Sequence, residues 1–401
     1  MPHDDLLLQA YREPSTAIGY WLSRAIARAF PDRGLIETDD GGFDLETFLH
    51  REECEVVVHD SPHPVVRAFW GGEDRGRAMR FVCGHRTVTW RGIPFDVVDA
   101  AWSGGFQMIR RRFFVGPTQA DVAVFVDHVA KVAGVIDDEV LVFSDGCWSR
   151  SKELRDAIRS ATFDNLVLPG DQGKKLLTQC EQFLDAREEY ARFGVPWKRG
   201  VLFLGPPGNG KTHCIKALLN ALDIPCLYVQ SFTSRFDTAQ GNVKAVFQRA
   251  RRTNKPCALV LEDLDSLLTD ETRSFFLNEL DGFAANDGIL TLASTNHPER
   301  LDPAIINRPS RFDRKVHFGL PGEPERLRYL EMLNRKMGGE LDNEALVELA
   351  HKTTEFSFAY VKELMVSAVT AWIGEGRARP LAVVADEVYR SLREQLESPE
   401  A

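Results

Sequence analysis

The chain has 401 residues, enough for two or three domains that each bury a core. Hydrophobic residues make up 44% and charged residues 27%, ordinary values for a globular protein. The formal net charge of −10 argues against a generally nucleic-acid-binding surface.

No stretch approaches the ~18 apolar residues needed to cross a bilayer. The start, Met1-Pro2-His3-Asp4-Asp5, lacks the basic and apolar parts of a secretory leader. The expectation is a soluble, cytoplasmic protein without a membrane span. Cysteines at 54, 83, 147, 180, 214, 226 and 257 form no C-x-x-C pair, which fits reduced thiols.

Residues 1–161 mix helix and strand signals without a motif. Ala17 to Phe30 carries Trp21, Leu22, Ile26 and Phe30 at helical spacing. Short strands are expected at Glu55–Val58, Ala78–Cys83, Thr87–Trp90 and Phe106–Val115, then a helix over Gln119–Val132. Strand Val140–Phe143 and helix Lys152–Ile158 complete an expected α+β domain. Cys83-Gly84-His85 reads as packing inside a hairpin rather than as a metal pair. Arg110-Arg111-Arg112, followed by Phe113 and Phe114, superficially resembles a nucleic-acid stripe, but strand alternation would divide it between two faces.

From residue 162 to 321 apolar runs alternate with helical segments. Strands are expected at Val201–Leu204, Cys226–Val229, Ala258–Leu261, Ile289–Ser294 and Val316–Phe318. Such alternation implies a parallel sheet with helices on both faces and ligands at the strand C-terminal ends. Residues 322–401 read as helices only, over Arg326–Met337, Asn343–His351, Phe358–Ile373 and Ala385–Leu396.

The first of these strands runs into Gly205-Pro206-Pro207-Gly208-Asn209-Gly210-Lys211-Thr212, a complete phosphate-binding loop. Its glycines let successive backbone N–H groups turn inward around a phosphate, and the helix that follows adds its positive dipole end. Lys211 is expected on the β- and γ-phosphates, with the Thr212 hydroxyl on Mg²⁺. A nucleoside triphosphate is the expected ligand.

Fifty residues beyond Thr212, the run Ala258-Leu259-Val260-Leu261 opens onto Glu262-Asp263-Leu264-Asp265. Metal-assisted hydrolysis needs one carboxylate for the cation's shell and another to orient and deprotonate the attacking water. Thr291-Leu292-Ala293-Ser294-Thr295-Asn296 is a strand ending in an amide that can donate to a γ-phosphate oxygen or to that water. Leu301-Asp302-Pro303-Ala304 then leads to Arg308-Pro309-Ser310-Arg311-Phe312-Asp313-Arg314, whose arginines are candidates for stabilising transition-state charge.

Taken jointly, these motifs resemble an ATPase of the AAA family from Phe163 to about Trp372. The resemblance implies the P-loop NTPase sheet, a C-terminal helical lid over residues 322–401, ATP and Mg²⁺ as ligands, and a ring, most often of six subunits. It implies that Glu262 attends Mg²⁺, that Asp263 activates water, and that Arg308 and Arg311 act on a neighbour's nucleotide. Asn307 is one residue extra before Arg308, and Ser310 stands where the family usually has Gly. By the same alignment Asn165 to Val167 would lie over adenine, and Phe358-Ala359 would line the lid where Gly-Ala is usual.

Tyr190 to Gly200 and the order Glu262-Asp263 are similar to the branch of the mitochondrial inner-membrane translocase that assembles the respiratory chain. Ser234-Arg235-Phe236-Asp237-Thr238-Ala239-Gln240-Gly241 occupies the place of the family's peptide-threading loop without its aromatic-apolar-Gly pattern. The expected function is an ATP-hydrolysing ring that remodels a protein selected by residues 1–161. A nucleotide-controlled scaffold with little turnover is the alternative, and a nucleic-acid loader the least favoured.

Overall fold

The long strands Ile93–Ser103 (β5) and Arg77–Trp90 (β4) organise the first part of the chain. With Gly34–Thr38 (β1), Glu55–Val58 (β2), Val65–Trp70 (β3) and Met108–Gly116 (β6) they form an antiparallel sheet. Its order is β1-β6-β5-β4-β2, and β3 also pairs with β4. The computed structural model describes residues 6–38, 45–52, 54–59, 65–70, 77–103, 108–133, 140–234, 237–253, 255–281, 285–308 and 310–397. Two compact units emerge, Met1–Ile136 and Asp137–Ala401.

Strand alternation gives the first unit two buried faces. Val98, Ala100, Trp102, Phe113 and Val115 pack with Leu22 and Ile26 of the helix Ile18–Ala29. Val88, Phe95, Val97 and Phe114 pack with Phe48, Val122 and Phe125, and the Phe95 and Phe125 rings stack at 4.2 Å. The expected hairpin at Cys83-Gly84-His85 does not form. Arg77–Trp90 is one strand that changes partner, pairing with β3 through Cys83 and with β5 from Gly84 onward. Gly84 takes φ 146° at that junction, a value that side chains disfavour.

The boundary expected at residue 161 also moves. Val140–Ser144 (β7) and Cys147–Ser151 (β8) belong to the second sheet, where β7 lies parallel to Cys226–Val229 (β10). Leu141, Val142 and Phe143 are buried, and the run is an interior strand of the second sheet, between β10 and β8, rather than the tail of the first unit. Lys198–Leu204 (β9), Cys257–Leu261 (β11), Ile289–Thr295 (β12) and Arg314–His317 (β13) complete the order β13-β9-β12-β11-β10-β7-β8. All pairings but β7–β8 are parallel.

One face of this sheet packs Val201, Phe203, Ala258, Val260, Leu290 and Leu292 with Leu176, Ile215 and Leu218 of the helices Gln172–Asp185 and Lys211–Leu222. Leu259 and Leu261 alternate to the opposite face, and Phe247 and Phe276 are buried on the helices Ala239–Arg251 and Asp270–Asp281. The chain is thus mixed α/β, with a parallel sheet carrying helices and a helical C-terminal part. That part comprises Glu323–Lys336, Asn343–Lys352, Phe358–Gly374 and Leu381–Glu397, around Leu330, Phe356, Leu364 and Met365. All seven cysteines are unpaired.

Candidate functional site

The strands β9, β11 and β12 lie side by side and parallel, so their C-terminal ends bring three separate sequence segments to one edge. At the end of β9 the backbone turns through Gly205 at φ 142°, Gly208 at 77° and Gly210 at 93° before the helix Lys211–Leu222 begins. A Cβ on Gly205 would stand 2.0 Å from the Phe318 carbonyl oxygen, and one on Gly208 would stand 2.7 Å from the Ala359 Cβ. A side chain at either position would collide with these neighbours, so the turn needs glycine there.

Lys211 is buried at the head of this helix, and its Nζ donates to the Gly205 and Pro206 carbonyls at 2.6 and 2.9 Å. Burial pushes its ammonium below the ordinary lysine value, opposed by the fields of Asp263, Asp265 and Glu262. The charges of three carboxylates therefore act on the ammonium expected on the phosphates. Thr212 is exposed beside it. Asn209 is buried, and its Oδ1 has no hydrogen-bond partner among the described residues.

Glu262 and Asp263 stand in different environments, although they are neighbours. Glu262 is half-buried, and its Oε1 lacks a partner among the described residues. Burial first, and the Glu262 charge second, push the Tyr228 phenol above its ordinary range, so that carboxylate borders the tyrosine. Asp263 is exposed and holds φ 49°, a left-handed conformation that Asp tolerates better than bulky residues. Its N–H donates to Ser294 Oγ at 3.3 Å, and its Oδ1 accepts from Asn296 Nδ2 at 2.9 Å. Asp265 accepts from the buried Thr295 hydroxyl at 2.6 Å, which ties the acidic turn to the end of β12.

An orphaned buried carboxylate oxygen, an adjacent exposed carboxylate and a free hydroxyl on the loop helix are the donor set a magnesium ion accepts. The residues fit the cation.

Beside the loop lies a cavity of about 420 Å³ lined by residues that include Asn165, Val167, His213, Tyr329, Phe358 and Ala359. Tyr329 and Phe358 meet edge to face at 4.9 Å, giving it an aromatic wall. The Asn165 carboxamide is already engaged, with Oδ1 receiving the Thr162 N–H at 2.9 Å and His213 Nε2 at 2.6 Å. Burial lowers the His213 imidazole below its usual value. Ala359 N–H donates to the Gly208 carbonyl at 3.0 Å, so the helical part closes directly on the phosphate loop. Asn165 to Val167 and Phe358-Ala359, aligned over adenine and the lid, thus come together around one space.

The two arginines separate. Arg311 has 5% of its side chain exposed and forks onto Asp281, with Nε to Oδ1 at 3.1 Å and Nη2 to Oδ2 at 2.7 Å. Arg308 is 59% exposed and makes a single 3.0 Å contact with the same carboxylate. Arg311 is an internal brace, and Arg308 faces solvent. Asp281 was not visible to sequence reasoning because nothing in Leu280-Asp281 marks it; a pairing partner thirty residues away has no local signal. Tyr329 and His213 were missed for the same reason. Phe236 lies outside the described residues. Of the triple arginine in the first unit, Arg111 pairs with Glu37 and Arg112 with Asp99.

Residues 201–320 match the model of the ATPase family associated with various cellular activities (AAA). An ATP-dependent zinc metalloprotease FtsH of Ruminiclostridium cellulolyticum is 33% identical over 237 residues, 55% of this chain and 38% of that protein. Its counterpart in Caldicellulosiruptor bescii is 29% identical over 270 residues, 63% of this chain and 42% of that protein. The one from Acidothermus cellulolyticus is 33% identical over 226 residues, 52% of this chain and 33% of that protein. The chain therefore spans less than half the length of these relatives. The cradle, the acidic strand end and the Asn296 strand all fall inside residues 201–320, the stretch that matches the AAA family model.

Proposed function

We propose that this chain binds ATP with Mg²⁺ and hydrolyses it, as a ring of like subunits that remodels a protein substrate. The observation that supports this most is the meeting of Lys211, Glu262, Asp263 and Asn296 at the ends of three adjacent strands. In this reading Gly205 to Thr212 encloses the phosphates, and Lys211 exchanges its loop carbonyls for phosphate oxygens. Thr212 and Glu262 hold the cation, which when bound offsets phosphate charge. Asp263, steered by Asn296, takes the proton of the attacking water. Tyr329 and Phe358 enclose the base. Arg308 reaches the nucleotide of an adjoining subunit, and Arg311 holds the Arg308 loop through Asp281.

The relatives' names join ATP dependence to a zinc protease, and only the first half is carried over. None of the ten histidines is followed by Glu, so the H-E-x-x-H pattern of zinc peptidases does not occur in these residues. The finer likeness to the respiratory-chain translocase branch enters through the exchanged order Glu262-Asp263. Among the described residues no helix is long and apolar enough to cross a membrane, and a cytoplasmic site of action is part of the proposal. The unit Met1–Ile136 is proposed to select the substrate.

Phosphate release with Mg-ATP tests the reading. Turnover abolished by Lys211→Ala and Asp263→Asn supports it, whereas equal rates in wild type and Asp263→Asn sink it. A second reading, a nucleotide-controlled scaffold, draws on the bond that already occupies Asp263 Oδ1. Nucleotide-dependent assembly with a rate indifferent to Asp263→Asn would establish that one.

A further inference from the structure

His59, just past the end of β2, His85 on β4 and Asp96 on β5 come together in the first unit. Val58, the last residue of β2, pairs with Arg86, and His59 continues by donating its N–H to the His85 carbonyl at 3.0 Å. Across β4 and β5, Thr87 faces Asp96 and His85 faces Val98, so His85 and Asp96 share one face. The two imidazoles stack with centroids 4.3 Å apart. His85 Nε2 lies 3.0 Å from Asp96 Oδ1, and His59 Nε2 lies 2.8 Å from the Thr87 hydroxyl, which itself donates to Asp96 Oδ1 at 2.9 Å. One ligand atom from each of the three residues falls within 4.8 Å of the other two.

We propose that His59, His85 and Asp96 form a binding site for a divalent transition metal, zinc or a neighbour in its row, that staples the edge strand β2 to β4 and β5. Two imidazoles and one carboxylate are the ligand types that zinc accepts, with a fourth position left for water. Zinc–nitrogen bonds of ~2.0–2.1 Å put tetrahedral ligand atoms ~3.3 Å apart, and His85 Nε2 and Asp96 Oδ1 already lie 3.0 Å from each other. Arg33 Nη1 lies 2.5 Å from Asp96 Oδ2, so an ion would bind at Oδ1, in place of the contacts that this oxygen makes with His85 Nε2 and the Thr87 hydroxyl. Outer partners of this kind hold ligating carboxylates in place. The side chains of His85 and Asp96 are only 11% and 16% exposed, which limits competing water. β2 has four paired residues and one described strand neighbour, so a three-strand cross-link adds more there than elsewhere in the sheet. This inference is independent of the nucleotide site, since none of its residues lies in Asp137–Ala401.

The test is cobalt(II) titration of the full, chelator-treated, reduced chain without nucleotide. One equivalent should give the strong visible bands of a four-coordinate ion, without the near-ultraviolet thiolate band that cysteine ligation would add, and zinc should bleach them. His59→Gln, at the end of an edge strand, should remove the bands while the melting curve without metal stays as in wild type. Zinc should raise the melting temperature of wild type but not of His59→Gln. Weak six-coordinate absorption, a thiolate band, or undiminished uptake by His59→Gln would each overturn the assignment.

Discussion

Asn296 donates through Nδ2 to Asp263 Oδ1 at 2.9 Å, joining the end of β12 to the turn that leaves β11. The bond orients the exposed carboxylate, while Glu262, one residue away, keeps a buried oxygen without a partner among the described residues. The acidic pair is therefore divided by environment, with the half-buried member suited to a cation and the exposed member to water.

That division has a kinetic consequence. Asp263→Asn keeps the shape and removes the proposed base, and should lower ATP turnover by about 10²–10⁴-fold with nucleotide affinity nearly unchanged. Asn296→Ala leaves the base but not its orientation, and should cost about 10²-fold. Steady-state phosphate release with fluorescent-nucleotide binding separates the two effects. A turnover loss in Asn296→Ala larger than in Asp263→Asn would contradict this order.

Arg308 and Arg311 share Asp281 but not a role. Arg308→Ala removes an exposed side chain and should change stability by less than about 1 kcal/mol. If Arg308 serves an adjoining subunit, the same change should reduce turnover by about 10³-fold or more. Arg311→Ala removes a buried guanidinium together with its bonds to Asp281 and the Ala304 carbonyl, and should destabilise the fold by about 1–3 kcal/mol. Denaturant melts and turnover on both variants decide this. Mixing Arg308→Ala with Lys211→Ala should partly restore activity if the sites are shared between subunits.

Much of the second unit was legible because its signals are local. Each expected strand there is an apolar run whose ends lie within three residues of the observed ones, and the glycines of the phosphate loop are set by backbone conformation alone. The first unit was less legible. Ile93–Ser103 was missed because Pro94, Asp96 and Asp99 interrupt its apolar pattern; the two carboxylates are satisfied by Arg33, His85, Arg86 and Arg112 from elsewhere in the fold. The hairpin at Gly84 was expected because glycine marks turns, yet here it marks a change of partner within one strand. Asp281 and the wall formed by Tyr329 and Phe358 depend on contacts between distant segments, which periodicity does not encode.

The aromatic wall makes its own prediction. Phe358→Ala removes an edge-to-face partner of Tyr329, a contact worth about 0.5–1.5 kcal/mol. ATP affinity should fall by about 2–10-fold, with the rate at saturation little altered, because the ring lines the cavity proposed for the base and Asp263 is not among that cavity's lining residues. Isothermal titration with ATP and with inorganic triphosphate checks the assignment. Only ATP should lose affinity, and an equal loss for both ligands would place the ring's influence on the phosphate loop instead.

Asp281 should make stability depend on acid. The hydrogen bond from Arg311 holds its carboxyl below the ordinary carboxylate value; burial works the other way, and the charges of Arg311, Arg308 and Lys198 add to the lowering. A folded-state value below the unfolded one means the ionised form is favoured by folding. The stabilisation is then complete above the unfolded value, about 3.9, and is lost as pH falls through the lower folded value. Asp281→Asn should melt earlier than wild type at neutral pH, and the gap should narrow as pH drops below about 4. Thermal melts across that range test the sign. A gap that stays constant into acid would mean that Asp281 contributes through packing and neutral hydrogen bonds rather than through its charge.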